Sequence, residues 1–167
     1  MLLDYASWAE TKGIPVYPLT TQNISLSDLK QVAAEQNVKF RQNDILFIRS
    51  GYVRALTSLS AVDATQYALE TATKAIGVTS GEEMLKWIWE EGFTAVAGDM
   101  TAFEALPFQN KDFWMHEWLL AGWGLPIGEL FDLERLAEEC RRLRKWSFFF
   151  SSVPLKVSFP TWKEAPT

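Results

Sequence analysis

The chain carries one histidine, His116, and one cysteine, Cys140, in 167 residues. A site built from several imidazoles or thiolates is therefore excluded, as are a Cys-x-x-Cys pair, a His-Glu-x-x-His zinc motif and an intrachain disulfide. A P-loop and a Gly-x-Gly-x-x-Gly turn are also missing, which removes the common phosphate-cradling signatures. His116 has no serine in a Gly-x-Ser-x-Gly elbow to activate. Positive charge is scarce: 16 Lys and Arg stand against 21 Asp and Glu, for a net charge of −5. Nucleic acid is not an expected partner, because such domains carry a basic stripe. The basic cluster Arg141, Arg142, Arg144 and Lys145 closes a helix that also holds Glu134, Glu138 and Glu139. It reads as a solvated helix end that complements the dipole. No apolar run approaches the ~20 residues of a membrane span. The first residues, MLLDYASWAETKG, lack a charged start followed by an apolar block. With a lone cysteine suited to a reducing compartment, the expected location is cytoplasmic.

Apolar and aromatic residues, by contrast, are plentiful: 48% of the chain is hydrophobic, with eight Trp and eleven Phe. That is enough to build a core at this length and to offset ordering entropy. Short apolar runs alternate with helical stretches, so the expected class is α/β or mixed α+β. Leu2 and Leu3 read as the end of a strand. Ser25 to Asp28 has the capping-box pattern, followed by Leu29, Val32 and Ala33 at helical spacing. Asp44 to Ser50 reads as a buried strand ended by Gly51, and Ala61 to about Ile76 as a helix. A second capping box, Ser80 to Glu83, opens a helix over Met84 to Glu91 that stops at Gly92. Phe93 to Gly98 then forms a strand that delivers Asp99 at its carboxyl end, where open α/β sheets place functional side chains. Phe113 to Gly122 reads as helix, Leu125 to Leu130 as extended, and Asp132 as the cap of a helix running to about Arg144. Trp146 to Ser151 and Val153 to Val157 are predicted strands. Pro160 and Pro166 disfavour a regular element in the last ten residues.

The polar residues that could carry chemistry fall between positions 99 and 129: Asp99, Glu104, His116, Glu117 and Glu129. Read from the residues alone, His116 is either a satisfied structural histidine or a ligand. Glu129 lies between Ile127 and Leu130, where a carboxylate requires a cation, a hydrogen-bond network or a metal. Imidazole and carboxylate both suit zinc or manganese, but two ligands fall short of a tight site. Glu117 points about 100° away from His116 if both are helical. Asp99 is a candidate organiser of its strand-end loop, accepting backbone hydrogen bonds. The catalytic residue itself stays unassigned.

Several blocks, in order, resemble one family. Gly81 to Asp99 is similar to the helix–strand unit of the cyclase family, which includes the bacterial-type kynurenine formamidases. Asn43 to Gly51 resembles its strand ending in Arg-Thr/Ser-Gly, His116 to Leu133 its histidine-to-glutamate segment, and Phe148 to Lys156 its late strand pair. The wording is nearest to the fungal branch. The resemblance implies a swivelling β/β/α fold over 1–157, with 158–167 a divergent, irregular tail. It further implies zinc- or manganese-dependent hydrolysis of formamide-type or cyclic amide bonds in a small-molecule substrate, as in N-formylkynurenine deformylation. A homo-oligomer is expected, with no membrane partner. His116 and Glu129 match the family's later metal-ligating histidine and glutamate, at a spacing one residue longer than usual, which a one-residue insertion near Gly122–Gly124 would absorb. The family's His-x-Gly-Thr-His-x-Asp motif, upstream of the segment matched by Leu2–Asp4, is absent. The chain therefore reads as a member shortened at its start. An inactive paralogue acting as an oligomer partner, or an enzyme of fungal specialised metabolism, are the alternatives.

Overall fold

A computed structural model describes residues 1–69 and 73–153. The predicted strand over Val153–Val157 and the tail 158–167 lie, apart from Val153, outside these residues. The architecture is mixed α/β, with parallel sheets. Four strands, β1 (Leu2–Asp4), β3 (Ile45–Arg49), β5 (Ala95–Gly98) and β6 (Ile127–Gly128), form one sheet in the order β1-β3-β5-β6. Every pairing in it is parallel, with Leu3 opposite Ile48 and Ile48 opposite Gly98. A second parallel pair joins β2 (Asn23–Ile24) to β4 (Gly77–Val78). Parallel strands need crossover connections that cover both sheet faces, so their sequences run continuously apolar rather than alternating. Accordingly, Leu46, Phe47 and Ile48 on β3 are all buried.

The larger core lies on the face of the four-stranded sheet covered by α1 (Tyr5–Lys12), α2 (Leu26–Glu35) and α5 (Glu82–Glu91). The opposite face packs Leu2, Phe47 and Ala97 against Leu133, Ala137 and Cys140 around α6 (Glu134–Leu143). Ser25 caps α2, its Oγ accepting from the Asp28 amide at 3.0 Å, and Gly92 ends α5 in the left-handed conformation at φ 67°.

Several expectations are corrected. The helix from Ala61, α4, is described as Ala61–Leu69; Ala75 and Ile76 instead enter the core just before β4. None of its described residues is fully buried. Ser80 does not cap α5. Gly81 occupies the cap position, because the Ser80 hydroxyl is committed to Glu104. The helix after Phe113 winds from Met115, with a π-helical turn over Glu117–Gly122. Trp146–Ser151 forms no strand: Phe148 and Phe150 both turn onto Phe47, with ring centroids 6.1 and 5.2 Å away, without a ladder beside them. Arg141 is not purely solvated either, since its Nη1 donates to Asp4 Oδ2 at 3.1 Å. Two helices went unanticipated, α1 and α3 (Tyr52–Thr57).

Among the described residues, the outer side of β1 is occupied without a further strand. The Leu2 amide donates to the Trp146 carbonyl at 2.9 Å. The Gln36 side-chain amide, oriented to satisfy both partners, donates to the Leu2 carbonyl and accepts from the Asp4 amide, each at 3.1 Å.

Candidate functional site

The carboxyl ends of the parallel strands gather the buried charge. Asp4 ends β1 and Arg49 ends β3, side by side in register. Asp99 follows β5 and is fully buried. It accepts from the Ser50 amide (2.6 Å), the Ser50 hydroxyl (2.7 Å) and the Gly51 amide (2.8 Å). Gly51 sits at φ 86°, a conformation that favours glycine, and this turn aims both amides at one carboxylate. Burial pushes the Asp99 carboxyl above its ordinary value, against the opposing pull of the Ser50 and Gly51 bonds and of the Arg49 charge. Asp99 thus ties β5 to the β3–α3 turn. Its hydrogen bonds go there and not to His116 or Glu129.

His116 and Glu129 are brought together from either side of the π-helical turn. His116 Nε2 lies 3.0 Å from Glu129 Oε1. On its other side, His116 Nδ1 lies 2.8 Å from Glu104 Oε1. Glu104 is fully buried, whereas the His116 and Glu129 side chains are 26% and 33% exposed, so the site opens on the Glu129 side. The Phe108 ring stands edge-on to the imidazole, centroids 6.0 Å apart, and packs on Trp114 at 4.5 Å. This leaves a partly exposed aromatic wall beside the histidine.

Glu104 was one polar residue among several in the sequence, and its central place was not legible there. Its oxygens accept from Ser80 Oγ and from the Met115 and His116 amides as well as from the imidazole. A serine where a helix cap was expected was the available signal. Burial raises the Glu104 carboxyl, but the bonds from His116, Ser80 and the Met115 and His116 amides outweigh it and hold the group below its ordinary range. The imidazole shifts the other way. Its bond to Glu104 raises the His116 pKa, burial opposes this, and the bond to Glu129 adds to the rise.

A histidine whose folded pKa exceeds its unfolded value contributes stability that is fully present below about pH 6.5 and lost as pH rises through the folded value. Urea denaturation of the metal-free protein is expected to show a stability decline on the alkaline side of pH 6.5, which His116→Ala flattens. A decline of equal size in that variant would assign it elsewhere.

Among the described residues, no group of three or more His, Cys, Asp or Glu could hold a metal ion, and no helix is long and apolar enough to cross a membrane. His116 Nε2 and Glu129 are the two donors that face one another with the remaining imidazole nitrogen engaged.

The Cyclase family model matches residues 7–105, a span that includes Glu104 and stops short of His116 and Glu129. No curated protein matches the chain. A crystal structure of a novel cyclase superposes with a TM-score of 0.75 at 30% identity, over 93% of this chain and 47% of that one. Isatin hydrolase A from Labrenzia aggregata superposes with a TM-score of 0.53 at 11% identity, over 76% of this chain and 45% of the other. The second likeness concerns the fold alone. The chain spans about half the length of these solved structures.

Proposed function

From the premise that the chain belongs to the cyclase family, we propose that it supplies His116 and Glu129 to a divalent-cation site of an amide hydrolase. One observation carries the reading: His116 Nε2 and Glu129 Oε1 face each other at 3.0 Å while Nδ1 is engaged by Glu104. With Nδ1–H donated to Glu104, a neutral imidazole turns its Nε2 lone pair toward a carboxylate oxygen. Two acceptors that close repel unless a proton or a cation lies between them. Imidazole nitrogen and carboxylate oxygen suit zinc or manganese, and neighbouring ligands of one such ion stand at comparable separations. The donor set fits in kind and falls short in number, so water or groups beyond the described residues would complete it.

When bound, the ion supplies Lewis acidity toward water and the amide carbonyl. The chain's own residues do the rest. His116 and Glu129 hold the position, and their partial exposure leaves a face for substrate. The Phe108 and Trp114 rings offer an apolar wall on which a planar substrate can lie. Formamide-type amides such as N-formylkynurenine, and cyclic amides such as isatin, fit that description, with a specialised metabolite of the same chemistry as the alternative. The two-donor count favours a second reading, an inactive relative that acts only by pairing within an oligomer.

The test is thermal unfolding with and without Zn²⁺ or Mn²⁺, followed by assay of N-formylkynurenine and isatin. At about 100 times Kd, the ion should add about 2.7 kcal/mol, or roughly 5–10 °C in Tm. His116→Ala should abolish the shift. Absence of any shift in the unmodified protein would remove the metal reading, and a shift without turnover would favour the inactive one.

A further inference from the structure

The geometry points to Glu104 as the positioning residue that fixes the tautomer and the aim of His116. The inference deepens the proposed function and rests on its reading of His116 as a ligand through Nε2. Glu104 is fully buried, and each of its oxygens accepts two hydrogen bonds. Oε2 takes Ser80 Oγ and the Met115 amide (3.0 Å). Oε1 takes the His116 amide (3.1 Å) and Nδ1 (2.8 Å). An ionised carboxylate has about four acceptor sites, so all are in use and the group has no alternative orientation to adopt.

Two of the four donors belong to His116 itself and converge on one oxygen. Backbone and ring are thereby locked to the same point, which fixes the side-chain torsions of His116 as well as its proton. The Glu104 backbone is no freer. The Val78 amide donates to the Phe103 carbonyl (2.9 Å) and the Ala105 amide to the Val78 carbonyl (3.1 Å), clamping the residue from both sides.

A free neutral imidazole prefers its proton on Nε2. A fixed, buried acceptor at Nδ1 reverses that choice, since the hydrogen bond at one ring nitrogen decides what the other can bind. Glu129 competes for the proton at Nε2, but its side chain is 33% exposed and can turn to water, whereas Glu104 is buried and fixed, so the neutral ring keeps its proton on Nδ1 and Nε2 presents a lone pair before any ligand arrives. A Glu104 that merely capped the backbone at Met115 and His116 would leave the tautomer unconstrained, which separates a positioning role from a structural one.

The experiment uses the full chain labelled with ¹⁵N, stripped of metal by a chelator, at a pH where the imidazole is neutral. His116 is the only histidine, so its ring nitrogens give one assignable set of signals. The expected result is a protonated Nδ1 and an unprotonated Nε2. A protonated Nε2, or rapid averaging between the two forms, overturns the proposal whatever any variant does. Glu104→Ala removes the acceptor at Nδ1 and should convert the spectrum to averaged or Nε2-protonated tautomers, and lower Zn²⁺ affinity about 10–100-fold. A Glu104→Ala protein that keeps the pure Nδ1–H form also overturns it. Should that variant fail to fold, as judged by its amide spectrum, the unmodified protein decides alone. Failure of the unmodified chain to bind Zn²⁺ would defeat the ligand reading of His116, while the tautomer would still report on Glu104.

Discussion

Arg49→Met is expected to cost the fold about 3–5 kcal/mol, because it removes one partner of a buried ionic network and strands the others. The Arg49 side chain is 1% exposed and Asp4 is 0% exposed. Nη1 donates to Asp4 Oδ1 at 2.6 Å, while Nε and Nη2 form a two-pronged contact with Glu134 at 2.8 and 2.7 Å. Burial alone would favour loss of the Arg49 proton, but the Glu134 bonds and the Asp4 charge overcome it and hold the guanidinium charged. Methionine matches much of the volume and none of the charge. Asp4 would then keep only Arg141 and the Ser7 amide at its oxygens. Loss of the fork would also unlink β1 and β3 from the start of α6. Urea denaturation should show a lower midpoint with an unchanged slope. Arg49→Lys should fall between, since an ammonium keeps the charge and loses the paired geometry. A midpoint unaltered by Arg49→Met would mean that the network adds nothing to stability.

The second large effect is expected at Gly77. Its φ is not in the left-handed region, so the requirement is one of space. A Cβ there would overlap the Glu104 carbonyl and the Ala105 amide, which are backbone atoms unable to rotate aside. Gly77→Ala should therefore destabilise at the upper end of the about 1–3 kcal/mol typical of overpacking. It should also push the segment at Glu104 away from β4, withdrawing the carboxylate from His116. Two readouts check this: the denaturation midpoint, and the His116 ring signals at a temperature where the variant is still folded. A variant with unchanged ring signals would show that the chain at 104–105 can yield without moving the carboxylate.

Much of the framework was legible because local chemistry and tertiary demand agree there. The Ser25 cap, the apolar run at Ile45–Arg49 and the Gly92 stop each state their structure within a few residues. The motif ending in Arg49-Ser-Gly51 was recognisable as a pattern, but its physical meaning is long-range. Arg49 serves Asp4 and Glu134, while Ser50 and Gly51 serve Asp99. Errors arose where the two levels disagree. Ser80 has every local reason to cap α5 and is drawn instead to a carboxylate 24 residues away. Trp146, Phe148 and Phe150 alternate as a strand would, because one face of the segment packs on Phe47, yet among the described residues no ladder forms beside it. The α1 helix escaped notice since its buried residues, Tyr5, Ala6, Trp8 and Ala9, do not form a clean helical stripe.

At the site, the residue types were legible and the distances were not. His116 and Glu129 are 13 residues apart, and no period of a regular helix or strand predicts their approach to 3.0 Å. Between them lie a π-helical turn, Glu117–Gly122, and β6, which sheet pairing with β5 holds just before Glu129. Such a turn accommodates one residue beyond a regular α-helix and is common beside functional positions. Glu104 was harder still, for its role rests on donors from Ser80 on one side and from Met115 and His116 on the other, 24, 11 and 12 residues away.

The treatment of β1 bears on how the protein behaves at high concentration. A strand at the margin of a sheet is a template on which a foreign strand, or another copy, can lay down its own hydrogen bonds. Here the outward groups of Leu2 and Asp4 are already spoken for by the Trp146 carbonyl and the Gln36 amide. At the opposite margin, β6 is only two residues long, which offers little length to copy. Among the described residues, an added strand would therefore meet occupied groups at one margin and a two-residue partner at the other. A single side chain, Gln36, guards most of the longer one, so the resistance of the fold to strand addition hangs on an amide far from the site where its chemistry is proposed.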